Sequence, residues 1–198
     1  MRDTVLSKAI IDRETLLHKA ALVLGGTMLI AIAAQISVPF YPVPVTLQTL
    51  AVMIVGLTFG SRMGALTLMA YLAEGAMGLP VFTNGGSFPS LIGPTAGFLF
   101  GFVGMAYLAG LAVEKGLARG VVTTAIAGIV VSALLYIPGV AWPMAIAGMA
   151  GVSGGWVGSS ADVIWTYWMS PFLLGDVVKS GVAAMVVSGG WAVVKARR

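Results

Sequence analysis

The stretch Pro171-Phe-Leu-Leu-Gly-Asp-Val-Val-Lys-Ser-Gly-Val-Ala-Ala-Met-Val-Val187 reads as a membrane span carrying two charges, Asp176 and Lys179. A helix needs roughly 20 largely apolar residues to cross hydrocarbon, and this run supplies them out to residue 194. An ionisable side chain at the centre of such a helix costs about 2.5–3.5 kcal/mol on insertion scales, so it pairs, faces a cavity or has a function. The i,i+3 spacing puts both side chains on one helix face, aimed at the same volume. Two readings follow. The residues form an ion pair that neutralises itself between helices, or they form a polar site inside a membrane bundle.

Composition supports the membrane setting. The 198 residues are 59% apolar and only 9% charged, with a mean hydropathy of +1.00. A soluble domain carries about 25% charged residues, so the chain is expected to be one compact membrane bundle. The net charge of +4 comes mostly from short basic flanks: Arg2, Lys8, Arg13 and Lys19 at one end, Lys195, Arg197 and Arg198 at the other. Such flanks are orientation signals rather than a nucleic-acid footprint. There is no cysteine and one histidine, His18, which excludes disulfides, thiolate nucleophiles and Cys/His metal clusters; neither a metal nor a cofactor is expected. His18 reads as an interfacial residue at a span boundary. Ala31-Ile-Ala33 resembles a signal-peptide cleavage site, but span after span follows, and the first is read as a retained helix.

Apolar runs fall at about 20–38, 45–60, 64–79, 96–114, 121–137 and 171–194. Val38-Pro39-Phe40-Tyr41-Pro42-Val43-Pro44 stops the first run, Gly60-Ser61-Arg62 turns the second into the third, and Pro80 ends the third. Ser170 followed by Pro171 reads as an N-cap with proline at the first helical position. Every Lys or Arg outside a span then falls on one side, with Arg62, Lys115 and Arg119 joining the two terminal flanks. By the positive-inside rule that side is cytoplasmic, giving six spans with both termini inside. A seventh helix at 142–158 would break this pattern, so 138–158 is expected to be a partly helical outer segment and is a candidate lid. Trp165, Tyr167 and Trp168 fit an interfacial aromatic belt, and residues 1–18 fit a cytoplasmic surface helix.

On this topology Asp176 and Lys179 lie in the outer half of the membrane. The Gly- and Pro-rich stretch 79–97 is also outer and uncharged, and it includes Asn84, which donates and accepts at once. Irregular backbone at membrane depth is tolerated where protein or a watery cavity satisfies it, so 79–97 is either a cavity wall or a plain loop. Thr46, Gln48 and Thr49 open the second span at the outer edge; Thr46 and Gln48 are candidates to line the same volume, or are ordinary caps. The outer aromatics Phe40, Tyr41, Phe82 and Trp142 are candidates to wall a ring-shaped ligand, or are belt and core residues. Glu74 is expected to face the bundle as an interhelical hydrogen-bond partner, Glu114 to be a flank residue and Asp162 a solvated cap. Small residues recur at four-spacing (Ala21 and Gly25, Thr27 and Ala31, Gly56 and Gly60, Gly97 and Gly101) and suit close helix packing; a stripe on the first span also suits a partner in the membrane.

Five motifs in order carry a family resemblance: Pro-Val-Pro-Val-Thr-Leu-Gln-Thr at 42–49, Gly-Leu-Pro-Val-Phe at 78–82, Asn-Gly-Gly from Asn84, Gly-Pro-Thr-Ala-Gly-Phe-Leu-Phe-Gly-Phe at 93–102 and Gly-Asp-Val-Val-Lys at 175–179. Together they resemble BioY proteins, the biotin-binding S components of energy-coupling factor (ECF) transporters. The resemblance implies an all-α, six-helix protein of the bacterial cytoplasmic membrane that captures biotin from outside. It also implies a transmembrane T protein and two ABC-type ATPases as partners, which couple ATP hydrolysis to release inside. Asn84, Asp176 and Lys179 match the family's polar ligand positions, with Gln48, Thr46, Phe82 and Tyr41 added as neighbours. Some relatives have an arginine shortly after the Gly-Pro-Thr run, whereas residues 96–102 here carry no charge. Energy has to come from a partner, because the chain has no Gly-x-x-x-x-Gly-Lys-[Ser/Thr] phosphate loop. Two other readings are a self-sufficient facilitator and an intramembrane hydrolase pairing Asp176 with Asp162 or Glu74. The first lacks visible repeats or a polar pore-lining helix, and the second lacks paired acidic motifs on facing helices.

Overall fold

The computed structural model describes Leu6 and residues 15–196. Among residues 15–196 the expected bundle of six helices forms: α1 Leu16–Gln35, α2 Gln48–Phe59, α3 Ser61–Ala76, α4 Ala96–Glu114, α5 Val121–Met149, and α6, which opens with Ala161–Ile164 and closes with Ser170–Ala196. The surface helix expected at 1–18 lies, up to residue 14 and apart from Leu6, outside the described residues. Thr15 caps α1 by accepting from the His18 amide at 3.3 Å, with its hydroxyl 2.6 Å from His18 Nδ1. His18 therefore helps to start the helix.

α1, α4, α5 and α6 are each long and apolar enough to cross a membrane. α2 has only 12 residues. At 1.5 Å per residue it measures about 18 Å, against about 30 Å of hydrocarbon. It nevertheless forms the core, packing on α1, α3, α4 and α6, with seven of its residues buried. A short helix at the centre leaves the axis of the bundle unfilled at one end. Gly60, at φ +86°, separates α2 from α3 in a conformation open mainly to glycine. Across this turn, the Ser61 N–H and hydroxyl both donate to the Glu114 carboxylate at 2.8 Å, tying the end of α4 to the start of α3. Glu114, expected to be a plain flank residue, is thus an interhelical anchor at a helix N-terminus.

Pro138, just past the expected end of the fifth span, and Pro171, the expected first residue of the sixth, both lie inside helices. Pro138 lies inside α5, and the Ala147 N–H then bonds the Trp142 carbonyl across a wide i→i+5 turn at Trp142–Ile146. A second wide turn at Trp165–Met169 has the Ser170 N–H on the Trp165 carbonyl, directly before Pro171. Such turns re-space the hydrogen bonds around a proline, so the chain stays helical where a break was expected. Ser170 is therefore mid-helix rather than an N-cap. The segment 138–158 is likewise divided: it extends α5 to Met149, and residues 150–160 connect the two helices, held by the Gly158 N–H on the Pro143 carbonyl at 2.8 Å.

The small residues of α2 and α4 pack inside the bundle as expected. A Cβ at Gly56 would lie 2.5 Å from the Ala106 carbonyl on α4, and one at Gly101 would lie 2.7 Å from Leu135 on α5. Gly25 on α1, by contrast, is exposed, with nothing within 4 Å of its Cβ position.

At the open end of the bundle the chain makes a β-hairpin. Ser37–Val38 (β1) pairs antiparallel with Val45–Thr46 (β2), with Ser37 opposite Thr46. Val45 and Thr46 are therefore strand residues, and the second helix starts at Gln48, whose N–H donates to Thr46 Oγ1 at 3.1 Å. Residues 79–95 form a loop with two short turns, Thr83–Gly85 and Phe88–Leu91.

Candidate functional site

A cavity of about 220 Å³ occupies the space above the start of α2. The hairpin contributes Val43, Pro44 and Thr46, and α2 contributes Gln48 and Thr49. From the loop come Phe82, Thr83, Asn84, Ser90 and Thr95; from α4 come Phe98, Leu99 and Phe102. Leu135 and Tyr136 of α5 and Phe172, Asp176 and Lys179 of α6 complete the wall. Among these residues Asp176 is the one anion and Lys179 the one cation. The stretch 96–102 contributes only apolar side chains, as its sequence requires.

The charged pair is asymmetrically held. Lys179 Nζ lies 3.8 Å from Asp176 Oδ1 and donates to Thr49 Oγ1 at 3.1 Å. The Tyr136 hydroxyl donates to Asp176 Oδ2 at 2.6 Å. Both charges are nearly withdrawn from solvent, with side chains 10% and 13% exposed for Lys179 and Asp176. A buried pair of this kind is sustained only when further hydrogen bonds satisfy it, which Tyr136 and Thr49 do from the two neighbouring helices. Below it, the Ser180 hydroxyl donates to the Asp176 carbonyl at 2.7 Å and fixes the local turn of α6.

The loop is clamped from α1. Gln35 donates through Nε2 to the Phe82 carbonyl and accepts the Gly85 N–H through Oε1, both at 3.0 Å. Between these anchors Asn84 takes φ +56°, a left-handed conformation that asparagine tolerates better than most residues, and its Oδ1 accepts from Ser37 Oγ at 3.3 Å. Phe82 is buried edge-on to Tyr71, with ring centroids 5.2 Å apart, and its ring lies against the bare backbone of Gly75.

Of the residues singled out in the sequence, the structure brings Asn84, Asp176, Lys179, Gln48, Thr46 and Phe82 to one cavity. Tyr41 lies elsewhere, 80% exposed near the tip of the hairpin and outside the lining. The turn directs Val43 and Pro44 inward in its place. Trp142 does not wall the cavity either; its indole N–H donates to the Gly93 carbonyl at 2.9 Å. The aromatic wall is instead Phe82, Phe98, Phe102, Tyr136 and Phe172. Sequence reasoning missed Tyr136, whose only signal was a hydroxyl inside an apolar run. Neither Asp162 nor Glu74 lines the cavity, so the carboxylate pair that a hydrolase needs is not assembled there.

The model of the BioY family matches residues 5–196. The chain belongs to the BioY family. Biotin transporter BioY of Rhizobium etli is 37% identical over 162 residues, covering 76% of this chain and 79% of that protein. Its counterpart in Rhodobacter capsulatus is 36% identical, over 82% and 87% of the two chains. Biotin transporter BioY of Thermotoga maritima is 47% identical over a shorter match of 90 residues, 45% of this chain and 53% of that one. The crystal structure of the S-component for biotin from an ECF-type ABC transporter superposes with a TM-score of 0.61 at 23% identity, covering 89% of this chain and 93% of the other. This BioY chain therefore shares that fold, and with four helices of spanning length it is a multi-pass membrane protein.

Proposed function

We propose that this chain is the biotin-capturing S component of an ECF-type transporter, and that the cavity above α2 is its substrate site. The observation that carries this reading is one opposite-charge pair, Asp176 and Lys179, beside Asn84 within an aromatic wall. Biotin has complementary chemistry: an apolar fused ring system, a ureido group with two N–H donors and one carbonyl, and a carboxylate tail. The Asp176 carboxylate accepts from a ureido N–H group, the Asn84 amide hydrogen-bonds the same ureido group, and Lys179 donates to an oxygen of the ligand. Phe98, Phe102 and Phe172 cover the rings.

Lys19, Arg62, Lys115 and Arg119 lie at the end of the bundle opposite the hairpin. The positive-inside rule supports reading that end as the cytoplasmic one in the bacterial cytoplasmic membrane, with both termini inside and the cavity open to the outside. A T protein and two ABC-type ATPases supply the energy for inward release.

Equilibrium binding of biotin to the purified, detergent-solubilised protein, beside the Asp176→Asn variant, tests this reading. Tight binding that the substitution abolishes is expected. A folded wild-type protein that binds no biotin would sink it.

A further inference from the structure

Tyr71, on α3, is fully buried and lines no part of the cavity, but its hydroxyl bonds Gln48, which does. The Val81 carbonyl can only accept, and Tyr71 donates its single hydroxyl hydrogen to it at 2.8 Å. The Tyr71 oxygen is then left to accept, and Gln48 Nε2 donates to it at 2.7 Å. Gln48 therefore has to turn its NH₂ group toward Tyr71. The two ends of a carboxamide are nearly isosteric, and hydrogen-bond polarity alone distinguishes them here. The other end, Oε1, accepts the Thr83 hydroxyl at 3.3 Å and has Thr46 Oγ1 at 3.5 Å, and both of these residues line the cavity. A carbonyl oxygen has two lone pairs, and a contact at 3.5 Å fills the second poorly.

We propose that Tyr71 is a positioning residue for ligand selection: anchored on Val81, it holds Gln48 with its amide oxygen toward the cavity, so that the site selects a ligand with an N–H donor at that point, as a cyclic urea has. The inference rests on the biotin-binding reading and deepens it. Gln48 and Asp176, on different helices, then supply separate acceptors for a ligand with two N–H groups. Because Val81 belongs to the loop, the same relay also ties the loop's position to the orientation of the amide.

The test is Tyr71→Phe, which keeps the ring against Phe82 and removes only the oxygen. Biotin affinity falls about tenfold, the worth of one buried hydrogen bond. The preference for biotin over an analogue methylated on its ureido nitrogens shrinks by a similar factor. In a Gln48→Leu background Tyr71→Phe has no further effect, because the group it positions is gone. Equal losses in both backgrounds would reduce Tyr71 to structural support and overturn the proposal. Should Tyr71→Phe not fold, Gln48→Glu reads the same relay. A carboxylate cannot donate to Tyr71, so affinity falls at least tenfold, whereas retained affinity would show that any acceptor at position 48 suffices. Wild-type protein that binds no biotin refutes the functional reading and this inference with it. Wild-type protein that binds while Tyr71→Phe binds equally well refutes the inference alone.

Discussion

The Tyr136 hydroxyl on α5 holds one oxygen of Asp176 on α6 at 2.6 Å, while the other oxygen faces Lys179 at 3.8 Å, too far for a good hydrogen bond. Asp176 thus enters the cavity with one oxygen committed and one available to a ligand. Tyr136→Phe keeps the ring edge-on to Phe98, at 6.1 Å and 87°, and removes only the donor. A hydrogen bond to a charged group contributes about 1.5–3 kcal/mol, so the ligand-free protein is expected to lose stability of that order. Biotin binding should weaken with it, because the carboxylate then swings free. Thermal unfolding in detergent, run beside binding, checks both; an unchanged variant would mean that α6 alone sets the place of Asp176.

The pair itself separates folding from binding. Lys179→Met leaves a buried carboxylate without its counter-charge and is expected to destabilise the ligand-free protein by about 3–5 kcal/mol. Adding Asp176→Asn removes the orphaned charge, so the double variant should melt higher than Lys179→Met while still binding no biotin. Melting curves of the three proteins decide this. A double variant no more stable than Lys179→Met would show that the cost came from lost packing of the lysine stem.

Asp176 and Lys179 were legible in the sequence because a charge inside an apolar run is costly enough to need a cause. Six helices were legible for a similar reason, since each apolar run is separated by basic or Gly/Pro punctuation. The ends of α5 and α6 were not. The fifth span reads as ending at 137 and the sixth as starting at Pro171, because the wide turns at Trp142–Ile146 and Trp165–Met169 that carry both helices further have no sequence pattern of their own. Tyr41 reads as a site residue because it is an outer aromatic, but strands of two residues are too short to show which side chains alternate inward. Tyr136 and Tyr71 were invisible because a tyrosine in a membrane span is ordinary until its hydroxyl partner is known.

Close packing at α4 predicts a contrast between two glycines. A Cβ at Gly97 would run into the Pro138 carbonyl and lie 2.6 Å from Trp142 Cβ, whereas one at Gly104 would meet nothing within 4 Å. Gly97→Ala is expected to cost about 1–3 kcal/mol by overpacking α4 against α5. Gly104→Ala should be neutral or stabilising by up to about 1 kcal/mol, from helix propensity alone. Matched unfolding curves compare them. Equal effects would mean that α5 gives way at Pro138 without cost.

Orientation can be read on living cells because the chain has no native cysteine. Tyr41, at the hairpin, and Leu117, in the connection between α4 and α5, are 80% and 65% exposed at opposite ends of the bundle. Lys115 and Arg119 flank Leu117, and the positive-inside rule predicts a cytoplasmic location for that end. A membrane-impermeant maleimide should therefore label Tyr41→Cys in intact cells, and Leu117→Cys only after permeabilisation. The cavity shares the hairpin's end, so the same labelling also decides which side biotin enters from. The reverse pattern would open the cavity to the cytoplasm and leave a capture role without access to its substrate, whatever the affinity of the purified protein.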